Sequence, residues 1–243
     1  MSQLPTPVLS PSPPGATTVD AVVLAAMDAE LAPFEQRADD VSTPRMVGGA
    51  RASLATVGGS RVLLVCTGVG TVNAAIAAAL AIHAVRTPLV ISSGSAGGLG
   101  VGVRVGDVVV GSEYLYSDAD ATAFGYALGQ VPGMPASFPG TESLVDRAKA
   151  LPGVLVGQML TSDSFIDGRT VEAVRASFPA ALTTDMESTA IAQACFTYGV
   201  PFVSVRAVSD LCGPAAGDDF HLALADVSAL AADIAVGLIA PRG

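Results

Sequence analysis

Residues 61–98 read RVLLVCTGVGTVNAAIAAALAIHAVRTPLVISSGSAGG: a short apolar run, a glycine-flanked turn, an Ala-rich stretch and a second apolar run that empties into glycine. This pattern predicts a buried strand over 61–66, a turn at 68–71, a helix running toward His83 and a second strand over 89–93. Strand, helix, strand is the repeating unit of a sheet covered by helices. The stretch between Arg61 and Arg86 is uncharged and long enough to span a bilayer, but Gly68, Gly70, Thr71, Asn73 and His83 interrupt its apolar character. A buried strand, turn and helix accounts for it better than a membrane span.

The same alternation extends in both directions. Residues 21–26, AVVLAA, read as a first buried strand, and Asp28, Glu30 and Pro33 suit the first turn of a helix after it. Residues 54–57 and 61–66 flank Gly58, Gly59 and Ser60, which predicts a hairpin. Further strands are expected over 108–111, 154–160 and 202–208, and helices over 142–151, 170–177, 186–198 and 219–239. Residues 117–140 mix Gly, Pro and aromatics with no sustained period, and so read as a long loop with a functional reason to exist. The expected fold class is α/β: one domain, three-layer α/β/α, with a mixed, mostly parallel central sheet.

Composition narrows the function. The chain has 243 residues, enough for one sizeable core, and is 51% hydrophobic with 14% charged, so much of it is committed to a packed interior or an oligomer interface. Its formal charge is -10, and Lys149 is the only lysine, which removes the basic footprint that nucleic acid requires. Cys66, Cys195 and Cys212 are odd in number, have no CxxC spacing and share the chain with two histidines, so no metal cluster is expected. A reduced, cytoplasmic setting fits them. Residues 1–19 hold five of the 16 prolines and read as a disordered tail without a secretory signal, ahead of one domain over 20–243.

In open α/β sheets ligands bind outside the carboxyl ends of the strands, so polar clusters just after strands are the ones to weigh. Four stand out: Met27, Asp28 and Glu30; Ser93, Gly94 and Ser95; Asp185, Met186 and Glu187 opening a helix; and Ser209 and Asp210 after the 202–208 strand. Each has a plain alternative. Glu30 and Glu187 suit a helix N-terminus, and Asp210 suits a cap. The loop read at 94–98 allows close backbone approach to any ligand, yet lacks the GxGxxG spacing and the Lys of a nucleotide-phosphate loop. His83 and His221 have no evident nucleophile partner for a Ser-His-Asp arrangement.

Taken together the segments are more specific. AAMDAEL, TGVGTVNAA, SSGSAGGL, VGDVVV, DADATAFGYALGQVPGMP, SDSFI, DMESTAIAQ and PFVSVRAVSD follow one another in an order and spacing that resemble the methylthioadenosine/S-adenosylhomocysteine nucleosidases, over about residues 21 to 239. GSAGG alone also resembles the wider nucleoside phosphorylase superfamily, and the resemblance implies that fold. It implies that Glu30 activates the attacking water and Asp210 protonates the leaving adenine. Glu187 would grip the ribose hydroxyls, with Met186 packed under the sugar. Phe165 would stack on the purine, and the backbone of Ile166 would pair with its edge. Ser95 and Arg206 would stand near the water, with Ala96, Gly97 and Ser209 beside the substrate. Met27, Val69 and Phe220 would line the 5′-thio pocket, joined by Phe124, Tyr126 and Pro132 from the partner subunit of a homodimer. No cofactor or metal is implied, and the partners implied are an adenosine thioether and a second copy of the chain, without nucleic acid or membrane.

The chemistry suits these residue types. Adenine is a poor leaving anion, so protonating it carries much of the catalysis, while carboxylates favour the growing positive charge of the sugar and activate water on the opposite face. An Asp acting as the acid has to keep its proton near neutral pH, which asks for burial or a neighbouring donor such as Ser209. Among alternatives, a purine nucleoside phosphorylase would want cations for its phosphate. Phosphorylases resemble one another in carrying Arg before the Gly-Ser loop and after the first strand, where this chain has Ile91, Ser92, Ser93 and Glu30. A futalosine-type nucleosidase or 5′-deoxyadenosine as substrate stays open, and a nucleoside-binding protein without activity would not need all three acids.

Overall fold

The structure is a computed structural model and describes residues 15–239. The first half of the chain runs β1 (Thr17–Thr18), β2 (Ala21–Ala25), α1 (Asp28–Arg37), β3 (Ala38–Val41), β4 (Arg45–Val47), β5 (Ala50–Val57), β6 (Ser60–Cys66), α2 (Thr71–Ala84), β7 (Val85–Arg86) and β8 (Val90–Gly98). There follow β9 (Val108–Tyr116), β10 (Phe138–Pro139), α3 (Glu142–Lys149), β11 (Val154–Thr161), α4 (Val171–Ser177), β12 (Ala181–Asp185), α5 (Ser188–Tyr198), β13 (Phe202–Asp210) and α6 (Ala216–Ile239).

The unit expected at 61–98 is present as β6, α2 and β8, with β2 lying between the two strands and parallel to both. All five residues of β2 are buried, as a strand covered on both faces requires. The β5–β6 hairpin turns through Gly58 and Gly59 at φ 56° and 78°, the left-handed pair that a two-residue turn of matching twist demands. One apolar cluster packs α2 and α5 on one face of the sheet, and another packs α1, α3 and α6 on the other, which makes three layers. No helix among the described residues is long and apolar enough to cross a membrane.

The sheet is mixed, and its far end closes on itself. β13 pairs parallel with β8 and antiparallel with β9, β9 pairs with β11, β11 with β12, and the C-terminal tip of β12 returns antiparallel to the tip of β8 through Thr183–Gly98 and Thr184–Gly97. This ring brings the carboxyl ends of β2, β8, β12 and β13 to one place.

Several expected elements move. Residues 94–98, read as a loop, are the second half of β8, held by ladders to β13 and β12. Ser209 and Asp210 lie inside β13 at a bulge rather than after it. Asp185 ends β12, a strand not expected from the sequence, and α5 opens only at Ser188. β3 and β4 were likewise not expected. Pro33 sits inside α1, not in its first turn, so the helix forgoes one ladder bond there. Residues 117–137 are largely irregular, with one turn of 3-10 helix at Thr122–Phe124, and Phe138–Pro139 pairs with β9. Of the segment read as a tail, residues 1–14 lie outside the described residues. Thr17–Thr18 pair with β7, and Val19 is buried.

Candidate active site

A cavity of about 230 Å³ opens where these strand ends meet. Glu30, Glu187 and Asp210 all line it, although they come from α1, the turn before α5 and the end of β13. Around them stand Ser95, Ala96 and Gly97 on β8 and Ser209 on β13, with Met27, Val69, Phe165, Ile166, Met186 and Phe220 from outside the strands. Asp185, weighed with Met186 and Glu187 as one polar cluster, lines it as well; so do Ala26, Ser164, Thr184 and Cys212, which the sequence had not placed in a substrate pocket. Ala26 and Thr184 adjoin residues that were singled out, and Cys212 follows Asp210 by two positions, so proximity in sequence was the only signal for them.

Glu30 is at the third position of α1 and is 2% exposed. The backbone N–H groups of Ala26 and Met27 donate to its Oε2 at 3.0 and 3.2 Å, so the plain reading as a helix-start acceptor holds. Its other oxygen is turned to the cavity wall, where Oε1 accepts from the Ser95 N–H and the Ser95 hydroxyl, both at 2.8 Å. Gly94 makes this approach possible: a Cβ there would lie 2.5 Å from Glu30 Oε1 and 2.7 Å from an Arg206 nitrogen. That is the reason for a glycine-rich strand at this point.

Glu187 is the residue just before α5, yet its side chain does not cap that helix. Oε1 accepts from the Gly70 N–H at 3.0 Å across 117 residues, and Oε2 faces Arg206 Nη2 at 3.4 Å. Burial pushes the Glu187 carboxyl above the ordinary carboxylate range; the Arg206 guanidinium opposes the rise, and the carboxylates of Asp185 and Glu30 add to it. Arg206 is itself 1% exposed and lies behind the cavity wall rather than in it. Its Nε meets Asp185 at 3.1 Å, its Nη2 is held by Ser92 at 2.9 Å, and its Nη1 donates to the Ser95 carbonyl at 3.3 Å. The resemblance implied a place for Arg206 near the attacking water; its guanidinium does not line the cavity, because β13 is buried along its whole length.

Asp210 accepts from the Cys212 N–H on Oδ1 at 2.9 Å and from the Ser209 hydroxyl on Oδ2 at 2.9 Å. Its carboxyl is raised above the ordinary range, and burial is the cause. Ser209 acts in the opposite sense from that expected, since a donor favours the ionised form. Along β8, Glu30 abuts Gly94, while a Cβ on Gly97 would lie 3.4 Å from Asp210 Oδ1. Three residue steps along the strand separate these anchors, about 10 Å at the usual rise.

Phe165 is 46% exposed at the cavity mouth, and Ile166 is buried. Asp163, two residues before Phe165, accepts from the Thr71 N–H at 2.7 Å and the Thr71 hydroxyl at 2.6 Å, which ties this loop to the start of α2. Phe124, Tyr126 and Pro132 lie on the 117–137 segment and not among the residues lining this chain's cavity; Phe124 is 83% exposed.

The family model of the phosphorylase superfamily matches residues 20–240. A 5′-methylthioadenosine/S-adenosylhomocysteine nucleosidase of Geobacillus kaustophilus is 38% identical over 226 residues, covering 90% of this chain and 96% of the relative. The nucleosidase of S. pneumoniae, solved with the transition-state inhibitor MT-ImmA, superposes with a TM-score of 0.85 at 32% identity, covering 90% of this chain and 97% of that one. The nucleosidase of Colwellia psychrerythraea, solved with adenine, does so with a TM-score of 0.87 at 33% identity, covering 92% and 96%.

Proposed function

That the chain belongs to the methylthioadenosine/S-adenosylhomocysteine nucleosidases of the phosphorylase superfamily is the premise from which we infer its reaction and its residue roles. It hydrolyses the N-ribosidic bond of 5′-methylthioadenosine and S-adenosylhomocysteine, releasing adenine and the thioribose sugar. One observation carries the choice of water over phosphate as nucleophile. The cavity is lined by four acids, Glu30, Asp185, Glu187 and Asp210, and among the described residues no Lys, Arg or His lines it. The nearest cation, Arg206, is already shared between Asp185 and Glu187. A phosphate dianion has no unpaired base to meet there.

In this reading Asp210 delivers its proton to the purine, and the burial that raises its carboxyl supports that role. Glu187, ionised, holds the ribose hydroxyls and favours the oxocarbenium-like sugar. Glu30 takes a proton from water. Three of its four donors are backbone N–H groups fixed in direction, so the Ser95 hydroxyl is the one that rotates off to make room for water. Phe165 stacks on the base and Ile166 pairs with its edge, while Met27, Val69 and Phe220 face the 5′ group. Adenine release is expected to run at full rate in phosphate-free buffer and to yield free thioribose. A sugar 1-phosphate, or strict phosphate dependence, would reverse the assignment.

The working unit is a homodimer in which Phe124, Tyr126 and Pro132 complete the partner's 5′ pocket. Support comes from Val72, Ile76 and Leu80, exposed at successive turns of α2 beginning at the cavity rim beside the half-exposed Val69. Such a stripe asks for a cover. Sedimentation is expected to give twice the chain mass, and Phe124→Ala to raise KM more than it lowers kcat. A fully active monomer at assay concentration would contradict the dimer. The three unpaired cysteines suit a reducing, cytoplasmic compartment.

A further inference from the structure

At the cavity wall, Asp185 has more partners than any other acid of the site. Its Oδ1 accepts from the Thr161 hydroxyl at 2.7 Å and from the backbone N–H groups of Glu187 and Ser188 at 3.1 and 3.0 Å. Its Oδ2 accepts from the Ser188 hydroxyl and faces Arg206 Nε at 3.1 Å. The Ser188 hydroxyl also lies 2.7 Å from that of Ser204 and 3.3 Å from Arg206 Nε. One carboxylate therefore fixes both the turn that carries Met186 and Glu187 and the guanidinium that faces Glu187.

We propose that Asp185, assisted by Ser188, is a positioning residue for hydrolysis: it sets where Glu187 meets the ribose and how much of the Arg206 charge Glu187 receives. The proposal rests on the reading of Glu187 as the ribose carboxylate. Arg206 has Nε toward Asp185 and Nη2 toward Glu187, so the two carboxylates divide one buried cation. Four groups face Glu187: Arg206 on β13 and the Gly70 N–H ahead of α2 favour its ionised form, while Asp185 at the end of β12 and Glu30 on α1 disfavour it. Removing the Asp185 charge therefore lowers the pH at which Glu187 ionises. If ionised Glu187 is the working form, activity then persists to lower pH.

The test uses full-length Asp185→Asn, Asp185→Glu and Glu187→Gln, with kcat/KM followed against pH on methylthioadenosine and on its 2′-deoxy counterpart. Asn keeps the shape of Asp and an acceptor for the turn; Glu keeps the charge. The acid limb of Asp185→Asn is expected to move to lower pH, and its preference for the ribo substrate to fall roughly tenfold or more, the weight of a hydrogen bond to a charged group. Asp185→Glu is expected to keep the wild-type limb. An unmoved limb and unmoved preference in Asp185→Asn, with only a lower Tm, overturns the proposal. If Asp185→Asn does not fold, Asp185→Glu decides: a limb in the wild-type position supports the role of charge, and a displaced limb overturns it. Glu187→Gln separates the two readings. If that variant keeps both limb and preference, the ribose role of Glu187 fails; if it loses them while Asp185→Asn does not, only the proposal for Asp185 fails.

Discussion

Asp210→Asn is expected to lower turnover by at least ~100-fold, the usual weight of a lost general acid, while the protein folds and melts almost as before. The hydrogen bonds explain the second half of that statement. Oδ1 of the amide still accepts from the Cys212 N–H, and its NH2 donates to the Ser209 oxygen once that hydroxyl turns to the Ala96 carbonyl, already 3.3 Å away. No donor is left facing a donor. The pH dependence has a definite sign. Burial raises the Asp210 carboxyl in the folded state, so the protonated, working form persists above the ordinary carboxylate range and activity falls as pH rises through the raised value. By linkage, the stability associated with that proton is fully present below the ordinary value and is lost as pH rises through the raised one. An amide does not titrate, so the variant should lack this dependence at the alkaline side. A residue that served only as a cap would lose about 1 kcal/mol on replacement and keep its turnover. Near-normal turnover in Asp210→Asn would withdraw the acid's assignment.

Glu30→Gln is expected to give a loss of turnover of the same order, but with a different signature in stability. Each oxygen of Glu30 faces at least one fixed backbone donor, Ala26 and Met27 on one side and Ser95 on the other. Whichever way the amide turns, its NH2 meets an N–H that has lost its acceptor. A buried unsatisfied donor costs about 1–3 kcal/mol, and for a chain of this size each kcal/mol lowers Tm by roughly 2–4 °C. Glu30→Gln should therefore melt several degrees lower and still bind a substrate analogue, because the proposed purine and ribose contacts come from Phe165, Ile166 and Glu187. Turnover, Tm and analogue affinity measured on one preparation distinguish the cases. A lower Tm with turnover intact would leave Glu30 as a structural acceptor only.

Local signals carried the sequence reading a long way. Five buried residues in a row marked β2, and Gly58–Gly59 marked the hairpin turn, because burial on both faces and positive φ restrict residue choice at those positions. Of the fourteen residues named for this chain's own catalytic and substrate-binding roles, only Arg206 falls outside the cavity lining. The failure nearest the site has a long-range cause. Residues 94–98 have poor intrinsic strand preference, and they form a strand because β13 and β12 supply ladder partners from more than 80 residues away. β12 was passed over too: it is a five-residue strand, and although β11 precedes it by one helix, its other neighbour β8 lies more than 80 residues away.

The amino-acid sequence by itself determined the α/β class, the hairpin, and the acids and apolar residues that gather at the strand ends, since periodicity, turn chemistry and motif order are written within short windows. Tertiary structure alone decided what those acids experience. Ring closure through β13 buries Arg206 and shares it between Asp185 and Glu187, and burial, not the Ser209 hydroxyl, raises Asp210. A carboxyl's proton affinity depends on the water removed from it and on the charges brought near it, and both are set by chain segments folded in from a distance.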